Sequence, residues 1–114
     1  MLNIEKVVQD NIVILRLTGE LNFHTSVELR AVLEELMSTE FETLLINLDK
    51  LSLIDSSGIG MLLLASKEME KKHGKTILIA HQFVWELLNI TRLTEFFEKA
   101  SDEQEAKNIA AKSA

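Results

Sequence analysis

The chain has 114 residues, 46% of them hydrophobic and 26% charged, as in an ordinary globular domain and unlike disordered or fibrous proteins. Its net charge of −6 argues against nucleic acid or an anionic membrane as a partner, and the absence of cysteine excludes disulfides, thiolate metal sites and cysteine nucleophiles. Because no apolar run approaches the roughly 18 residues of a membrane span, we expect one cytoplasmic domain over residues 1–114, without membrane insertion.

The first third of the chain predicts a β-hairpin followed by a helix. Residues 11–17 form an aliphatic strand, and residues 2–9 precede it across a tight turn. Thr25 and Glu28 have the spacing of a capping box, which predicts a helix over residues 25–38. The apolar residues that recur at helical intervals in it are Leu29, Val32, Leu33, Leu36 and Met37.

The middle of the chain predicts a strand, a helix and a second strand. Residues 43–48 (TLLINL) are a short apolar run typical of a strand buried on both faces. A helix is expected from about residue 57 to residue 73, with Gly74 suited to ending it. Residues 76–80 (TILIA) then predict another buried strand.

The last third predicts two more helices around a short edge strand. One helix runs to about Thr91, Phe96-Phe97 is interpreted as the edge strand, and Ser101 with Gln104 has capping-box spacing ahead of a final helix. The apolar residues of the first of these helices are Phe83, Val84, Leu87 and Leu88. Strands that alternate with helices predict an α/β domain with a mixed sheet of about four to five strands and about four helices.

No standard catalytic or cofactor-binding motif is complete in the sequence. The histidines are too scattered for a local metal motif: His24, His73 and His81. A nucleophile elbow needs a glycine two residues before the serine, whereas Ile54 and Asp55 occupy those positions. Gly58 and Gly60 form G-x-G, but Leu63 stands where a dinucleotide fingerprint needs its third glycine. We therefore expect no metal site and no cofactor.

Residues 55–58, D-S-S-G, lie between a predicted strand and a predicted helix. Asp and Ser are favoured N-caps because their side-chain oxygens accept hydrogen bonds from the free amides of the first helical turn. A small residue such as Gly58 lets a helix begin close to a sheet. On residue chemistry alone, helix capping by Asp55 or Ser57 explains this motif.

The helix after D-S-S-G has an incompletely polar outer face. Its solvent side is defined by Lys67, Glu68, Glu70 and Lys71, and the side chains expected against the sheet are Leu62, Ala65 and Met69. The uncharged residues on or near the solvent side are Ser56, Gly60, Leu63 and Leu64. An apolar patch beside a bare glycine fits a docking surface; alternatively, the loop 20–24 or another helix covers it.

Three segments carry a family resemblance over nearly the whole chain: L-T-G-E-L-N-F-H-T, L-L-I-N-L-D-K-L-S-L-I-D-S-S-G-I-G and K-T-I-L-I-A. They resemble the STAS domain of the anti-sigma factor antagonists in bacterial partner-switching systems. The resemblance implies that Ser56, the first serine of D-S-S-G, is the phosphorylated residue, supported by Asp55, Ser57 and Gly58. The residues expected at the partner contact are Glu20, Asn22, His24, Thr25, Ser56, Gly60, Leu63 and Leu64.

The resemblance also implies a mechanism in which the protein is a substrate and a ligand, and not an enzyme. The unphosphorylated antagonist binds an anti-sigma factor that is also a serine kinase, and this frees a sigma factor. Phosphorylation of the antagonist with Mg-ATP releases it, and a PP2C-type phosphatase resets it. Asn22 departs from the family pattern, which often has Asp there, so an acceptor is kept while a charge is lost.

Two alternatives remain open from the sequence. One is a stand-alone STAS subunit of another signalling or transporter complex, with the same fold and no sigma factor. The other is a small nucleotide-binding domain that uses the helix start at Gly58 and Gly60.

Overall fold

The computed structural model describes residues 1–112 and contains one five-stranded sheet with helices on both faces. In chain order the elements are β1 (Leu2–Gln9), β2 (Ile12–Leu21), α1 (Ser26–Met37), β3 (Thr43–Ile54), α2 (Ser56–Lys71), β4 (Lys75–Ile79), α3 (Gln82–Ile90), a 3-10 helix (Thr94–Phe96), β5 (Glu98–Lys99) and α4 (Glu103–Lys112). The predicted α/β class and mixed sheet are confirmed. Residues 113 and 114 of the predicted domain lie outside the described residues.

The strands lie in the sheet in their chain order, β1 to β5. β1 and β2 form the predicted antiparallel hairpin, whereas β2, β3, β4 and β5 are mutually parallel and joined through helices. The carboxyl ends of the parallel strands therefore meet at one edge of the sheet. Within residues 1–112, no helix combines the length and the apolar character needed to cross a lipid bilayer.

Each face of the sheet buries its own hydrophobic cluster. The larger cluster lies under α1, α2 and α3, and the predicted inward residues Leu62, Ala65 and Met69 are fully buried in it. The smaller cluster lies on the opposite face, where α4 covers Ile14 and Leu45. Successive strand residues alternate between the two clusters because their side chains point to opposite faces.

Two strands are longer than predicted. β2 continues to Leu21 and β3 continues to Ile54, beyond the predicted ends at residues 17 and 48. The extension of β3 includes polar residues, because it pairs with the end of β2 through two register irregularities and is buried only in part. The D-S-S-G motif consequently follows the paired strand directly.

At two helices, the hydrogen bonds of the predicted capping boxes do not form between the predicted residues. Thr25 stands at the N-cap of α1, but its side chain makes no capping bond there. At α4, Asp102 accepts the backbone N–H of Glu105 at 2.8 Å, and the Glu105 carboxylate accepts the N–H of Ser101 at 2.7 Å. The box is thus shifted by one residue from the predicted Ser101 and Gln104 pair.

Two local details near α2 and β5 also differ from the predictions. His73, and not Gly74, has the left-handed backbone after α2, with φ of 59°. Gly74 is instead required for packing, because a Cβ there would lie 2.5 Å from Met69 Cε and 2.8 Å from the Glu42 carbonyl oxygen. Phe96 ends the 3-10 helix and Phe97 is buried in the core, so the edge strand begins two residues later than predicted, at Glu98.

Candidate functional site

The site predicted from the sequence lies where β2 and β3 end side by side. Leu21 pairs with Ile54 in the parallel register, and the backbone N–H of Asp55 donates to the Leu21 carbonyl oxygen at 3.2 Å. The loop 22–25 after β2 and the first turn of α2 after β3 therefore occupy the same edge of the sheet. Two segments more than thirty residues apart in the chain become one surface.

Asp55 is the N-cap of α2. Its Oδ1 accepts the backbone N–H of Ser57 at 2.9 Å and that of Gly58 at 3.1 Å, and its carbonyl oxygen accepts the N–H of Ile59 at 3.0 Å. Of the two capping candidates left open by the sequence, the structure selects Asp55. In the described part of the chain, the Ser56 and Ser57 hydroxyls make no hydrogen bond; Ser56 is exposed and Ser57 half-buried.

The second oxygen of Asp55 joins α2 to the loop after β2. Oδ2 accepts the backbone N–H of Phe23 at 3.2 Å. One carboxylate thus holds both the helix that carries Ser56 and the loop beside it. The sequence predicted only the capping role for this side chain, because nothing in the spacing of the motifs shows that residue 23 is its neighbour.

The loop is held from within by two polar side chains. Asn22 Oδ1 accepts the N–H groups of His24 and Thr25 at 2.9 and 3.0 Å. The Thr25 hydroxyl donates to the Glu20 carbonyl oxygen at 2.8 Å and accepts the Asn22 N–H at 2.9 Å. Thr25 is only 7% exposed, which does not fit its predicted direct contact with a partner; it supports the loop instead. Glu20 and His24 are exposed and Asn22 is half-buried.

The two glycines at the start of α2 have different environments. A Cβ at Gly58 would lie 2.7 Å from Ile54 Cγ1 and 2.8 Å from Leu21 Cγ, so this glycine lets the helix pack against the strand ends. A Cβ at Gly60 would have no heavy atom within 4 Å, and the residue is exposed. Gly58 faces the protein interior and is thus poorly placed to cradle a phosphate, whereas Gly60 offers bare backbone to the outside.

The predicted apolar patch on α2 is partly covered. Leu63 and Leu64 are half-buried, although both were predicted on or near the solvent side. Leu64 lines a groove of about 240 Å³ between α1 and α2, together with Leu33 and Met37. The alternative that another helix covers the patch therefore holds in part for Leu64.

Exposed apolar side chains that were not predicted at the site lie beside it. Phe23, within the loop, is 70% exposed, and Val27, in the first turn of α1, is 67% exposed. Leu53, just before D-S-S-G, is 44% exposed. The signal available in the sequence was a phenylalanine in an otherwise polar loop, L-N-F-H-T.

The strongest electrostatic cluster of the described residues lies away from this site, on the face covered by α4. Arg16 donates two hydrogen bonds of 2.9 Å to Glu103, and Asn47 donates a third at 2.8 Å. The hydrogen bonds that Arg16 donates lower the pKa of Glu103 to about 2, and the same bonds raise the pKa of Arg16. This cluster ties α4 to the sheet and is separate from Ser56.

Comparison with known families gives one match over most of the chain. A family model described as the STAS domain matches residues 3–106. The matched range contains every residue predicted at the site.

Known proteins of similar sequence and structure carry related names. An anti-sigma F factor antagonist of Lysinibacillus sphaericus is 38% identical over 77 residues, which are 67% of this chain and 65% of that protein. The Bacillus cell fate determinant SpoIIAA in its phosphorylated form is 27% identical, with a TM-score of 0.75 over 96% of this chain and 99% of that one. The anti-sigma factor antagonist SpoIIAA in its unphosphorylated form is 25% identical, with a TM-score of 0.75 over 100% of both chains.

Proposed function

The chain belongs to the STAS domain family, and from this premise we propose that it is a phosphorylatable anti-sigma factor antagonist. The observation that carries the proposal is the exposed Ser56 hydroxyl at the start of α2, next to a cap supplied by a different residue, Asp55. The names of the relatives support the same role, since each is an anti-sigma factor antagonist or a cell fate determinant known in a phosphorylated form.

In the proposed cycle the unphosphorylated protein binds an anti-sigma factor with serine kinase activity, and this frees a sigma factor in the cytoplasm. Ser56 Oγ then attacks the γ-phosphorus of the kinase's Mg-ATP. The new Oγ–P bond forms as the bond to the ADP oxygen breaks, and a base of the kinase takes the hydroxyl proton. This chain is substrate and ligand in the step and supplies no catalytic group.

The first turn of α2 can accept a phosphate without unfolding. Asp55 already satisfies the N–H groups of Ser57 and Gly58, so the cap does not depend on the hydroxyl that is modified. Within residues 1–112 the Ser56 N–H has no acceptor and is free to donate to a phosphate on its own side chain. The positive end of the helix dipole also favours an anion at this position.

Phosphorylation should end the complex by changing the contact surface alone. A phosphoserine carries about −1.5 to −2 charges, and placing it in a desolvated apolar contact costs several kcal/mol as an order of magnitude. The ADP that remains in the kinase adds like-charge repulsion. A PP2C-type phosphatase can reach the exposed Ser56 once the partner has left, and it resets the cycle.

Asn22 fits this role despite its departure from the usual Asp. Its Oδ1 accepts two backbone N–H groups inside the loop, a task that an aspartate oxygen performs equally well. The amide therefore keeps the loop geometry and changes only the charge beside Ser56. Glu20 is the exposed acidic residue nearest to Asn22 in the sequence.

The proposal is tested with the kinase-type anti-sigma factor encoded in the same genome. Incubation of that kinase, Mg-ATP and this protein is expected to add one phosphate, mapped by mass spectrometry to Ser56. Pull-down with the unphosphorylated protein should retain the kinase, and pull-down with the phosphorylated protein should not. Phosphate on another residue, or no phosphate from any such kinase, would refute the proposed function.

A further inference from the structure

Phe23 and Val27 form one exposed apolar face beside the phosphorylation site. The N–H of Ser26 donates to the Asn22 carbonyl oxygen at 2.8 Å, which closes a turn that leads directly into α1. Residues four apart on such a turn lie on the same side. The Phe23 and Val27 side chains, four residues apart at this helix start, are 70% and 67% exposed.

This face is held in position without the help of any partner. The Phe23 N–H is bonded to Asp55, and its carbonyl oxygen accepts the Ser26 hydroxyl at 3.0 Å. The Phe23 ring also meets the His24 ring edge-on, with centroids 5.6 Å apart. An aromatic side chain held on a rigid backbone loses little conformational entropy on binding, which is typical of the residues that dominate protein interfaces.

The charges around the face indicate the chemistry of its partner. No Lys or Arg occurs between Arg16 and Arg30, or between Lys50 and Lys67, and Arg30 itself is paired with Glu34 at 3.7 Å. The acidic residues within these two segments are Glu20, Glu28 and Asp55. A surface of this kind repels nucleic acid and anionic lipid, and it complements a protein that presents an apolar socket with basic side chains at its rim.

We propose that Phe23 and Val27 anchor the anti-sigma factor on the α1 side of Ser56, by entering an apolar socket whose basic rim faces Glu20 and Glu28. The inference rests on the proposed function and extends it, because the contact is continuous with Ser56 through the bond between Phe23 and Asp55. Ser56 then lies between this anchor and the Gly60 side of α2, so a phosphate enters the middle of the contact.

Photo-crosslinking in cells of the source organism tests the position of the anchor. Benzoyl-phenylalanine replaces Phe23 in one variant, Leu63 in a second and Val8 in a third. Val8 is the matched control, since it is 62% exposed and lies at the opposite end of the sheet, where it pairs with Val13 at the start of β2. We expect the same kinase-type anti-sigma factor, identified by mass spectrometry, to be captured from positions 23 and 63 and not from position 8.

The outcomes separate the two proposals. Capture of that kinase from position 63 but not from position 23 overturns the anchor and leaves the proposed function standing. Capture from neither position refutes the proposed function and, with it, the proposal that Phe23 and Val27 anchor the partner.

The captured kinase, purified, then serves as the probe for affinity. Phe23→Ser should weaken its binding about 30-fold or more, whereas Val8→Ser should change it less than about twofold. Both variants should keep similar melting temperatures, because both side chains are mainly exposed. The affinity of the wild type should also fall as salt is raised. Equal affinities for Phe23→Ser and Val8→Ser would overturn the anchor.

Discussion

Asp55 Oδ2 accepts the backbone N–H of Phe23 at 3.2 Å, while Oδ1 of the same carboxylate caps the helix that begins at Ser56. The relationship joins a loop and a helix start that are separated by more than thirty residues. It assigns the cap to Asp55 and leaves the Ser56 hydroxyl free for modification. The proposed switch depends on this division of roles.

The first prediction concerns stability at the helix start. Asp55→Ala should lower the free energy of unfolding by about 1–2 kcal/mol, because the first turn of α2 loses its cap and the loop loses an acceptor. Ser57→Ala should change it by less than about 0.5 kcal/mol, since the Ser57 hydroxyl makes no bond within the described residues. Urea unfolding of both variants measures the difference, and a larger loss for Ser57→Ala would contradict the assignment of the cap.

The second prediction separates the two serines in phosphorylation. With the kinase-type anti-sigma factor and Mg-ATP, Ser57→Ala should gain one phosphate as the wild type does, and Ser56→Ala should gain none. Ser56→Ala should also hold the kinase persistently, because the release step is blocked. Ser56→Asp should bind poorly, although one carboxylate only partly imitates a phosphate. Peptide mass spectrometry and a binding titration check these outcomes, and phosphate on Ser57 would count against the mechanism.

The third prediction uses the two glycines of α2 as a matched pair. Gly60→Ala should raise the free energy of unfolding by about 0.5–1 kcal/mol, because alanine favours the helix and its Cβ meets open space. Gly58→Ala should lower it by about 1–3 kcal/mol, because its Cβ would press on Leu21 and Ile54. Urea unfolding measures both values. If Gly60→Ala is more stable yet binds the partner as tightly as the wild type, Gly60 does not lie in the contact.

The fourth prediction concerns the leucines of α2. Leu63→Glu and Leu64→Glu should each weaken partner binding about tenfold or more, if both side chains belong to the contact. Because both are half-buried, each should also cost about 1 kcal/mol of unfolding free energy, in contrast to freely exposed positions. Binding is titrated at a temperature where both variants remain folded. Unchanged affinity for Leu64→Glu would show that Leu64 lines the groove between α1 and α2 and does not contact the partner.

The fifth prediction is a pH dependence that arises from Glu103. Its pKa falls from 4.5 to about 2 in the folded protein, so between these values the unfolded chain binds more protons than the folded one. The stabilisation is therefore complete above about pH 4.5 and is lost as the pH falls through about 2. Unfolding free energies of wild type and Glu103→Gln should differ at neutral pH and converge in acid. A difference independent of pH would contradict the role of the carboxylate charge.

Local chemistry was sufficient to predict the order of the elements and the buried face of α2. Aliphatic runs marked the strands, and helical spacing placed Leu62, Ala65 and Met69 on the buried face of α2, where they lie. The periodicity of apolar residues shows which side of a helix or strand is buried. The strands and the buried face of α2 can therefore be predicted from a few neighbouring residues. These local patterns did not predict the extension of β3 to Ile54. The polar residues there are held in the strand by pairing with β2, which is a contact between segments distant in the sequence.

Patterns in the sequence alone predicted the α/β class and the order of the strands and helices, whereas the start of α2 was expected at about residue 57 and lies at Ser56. Each of these depends on interactions between residues within one or two turns or strands of each other. Three features emerged only from the folded chain: Asp55 supplies the cap, Thr25 is buried, and Phe23 stands exposed beside the start of α2. These features follow from the parallel pairing of β2 and β3, which brings Leu21 next to Ile54. The register of that pairing sets which groups of the two following segments can reach one another.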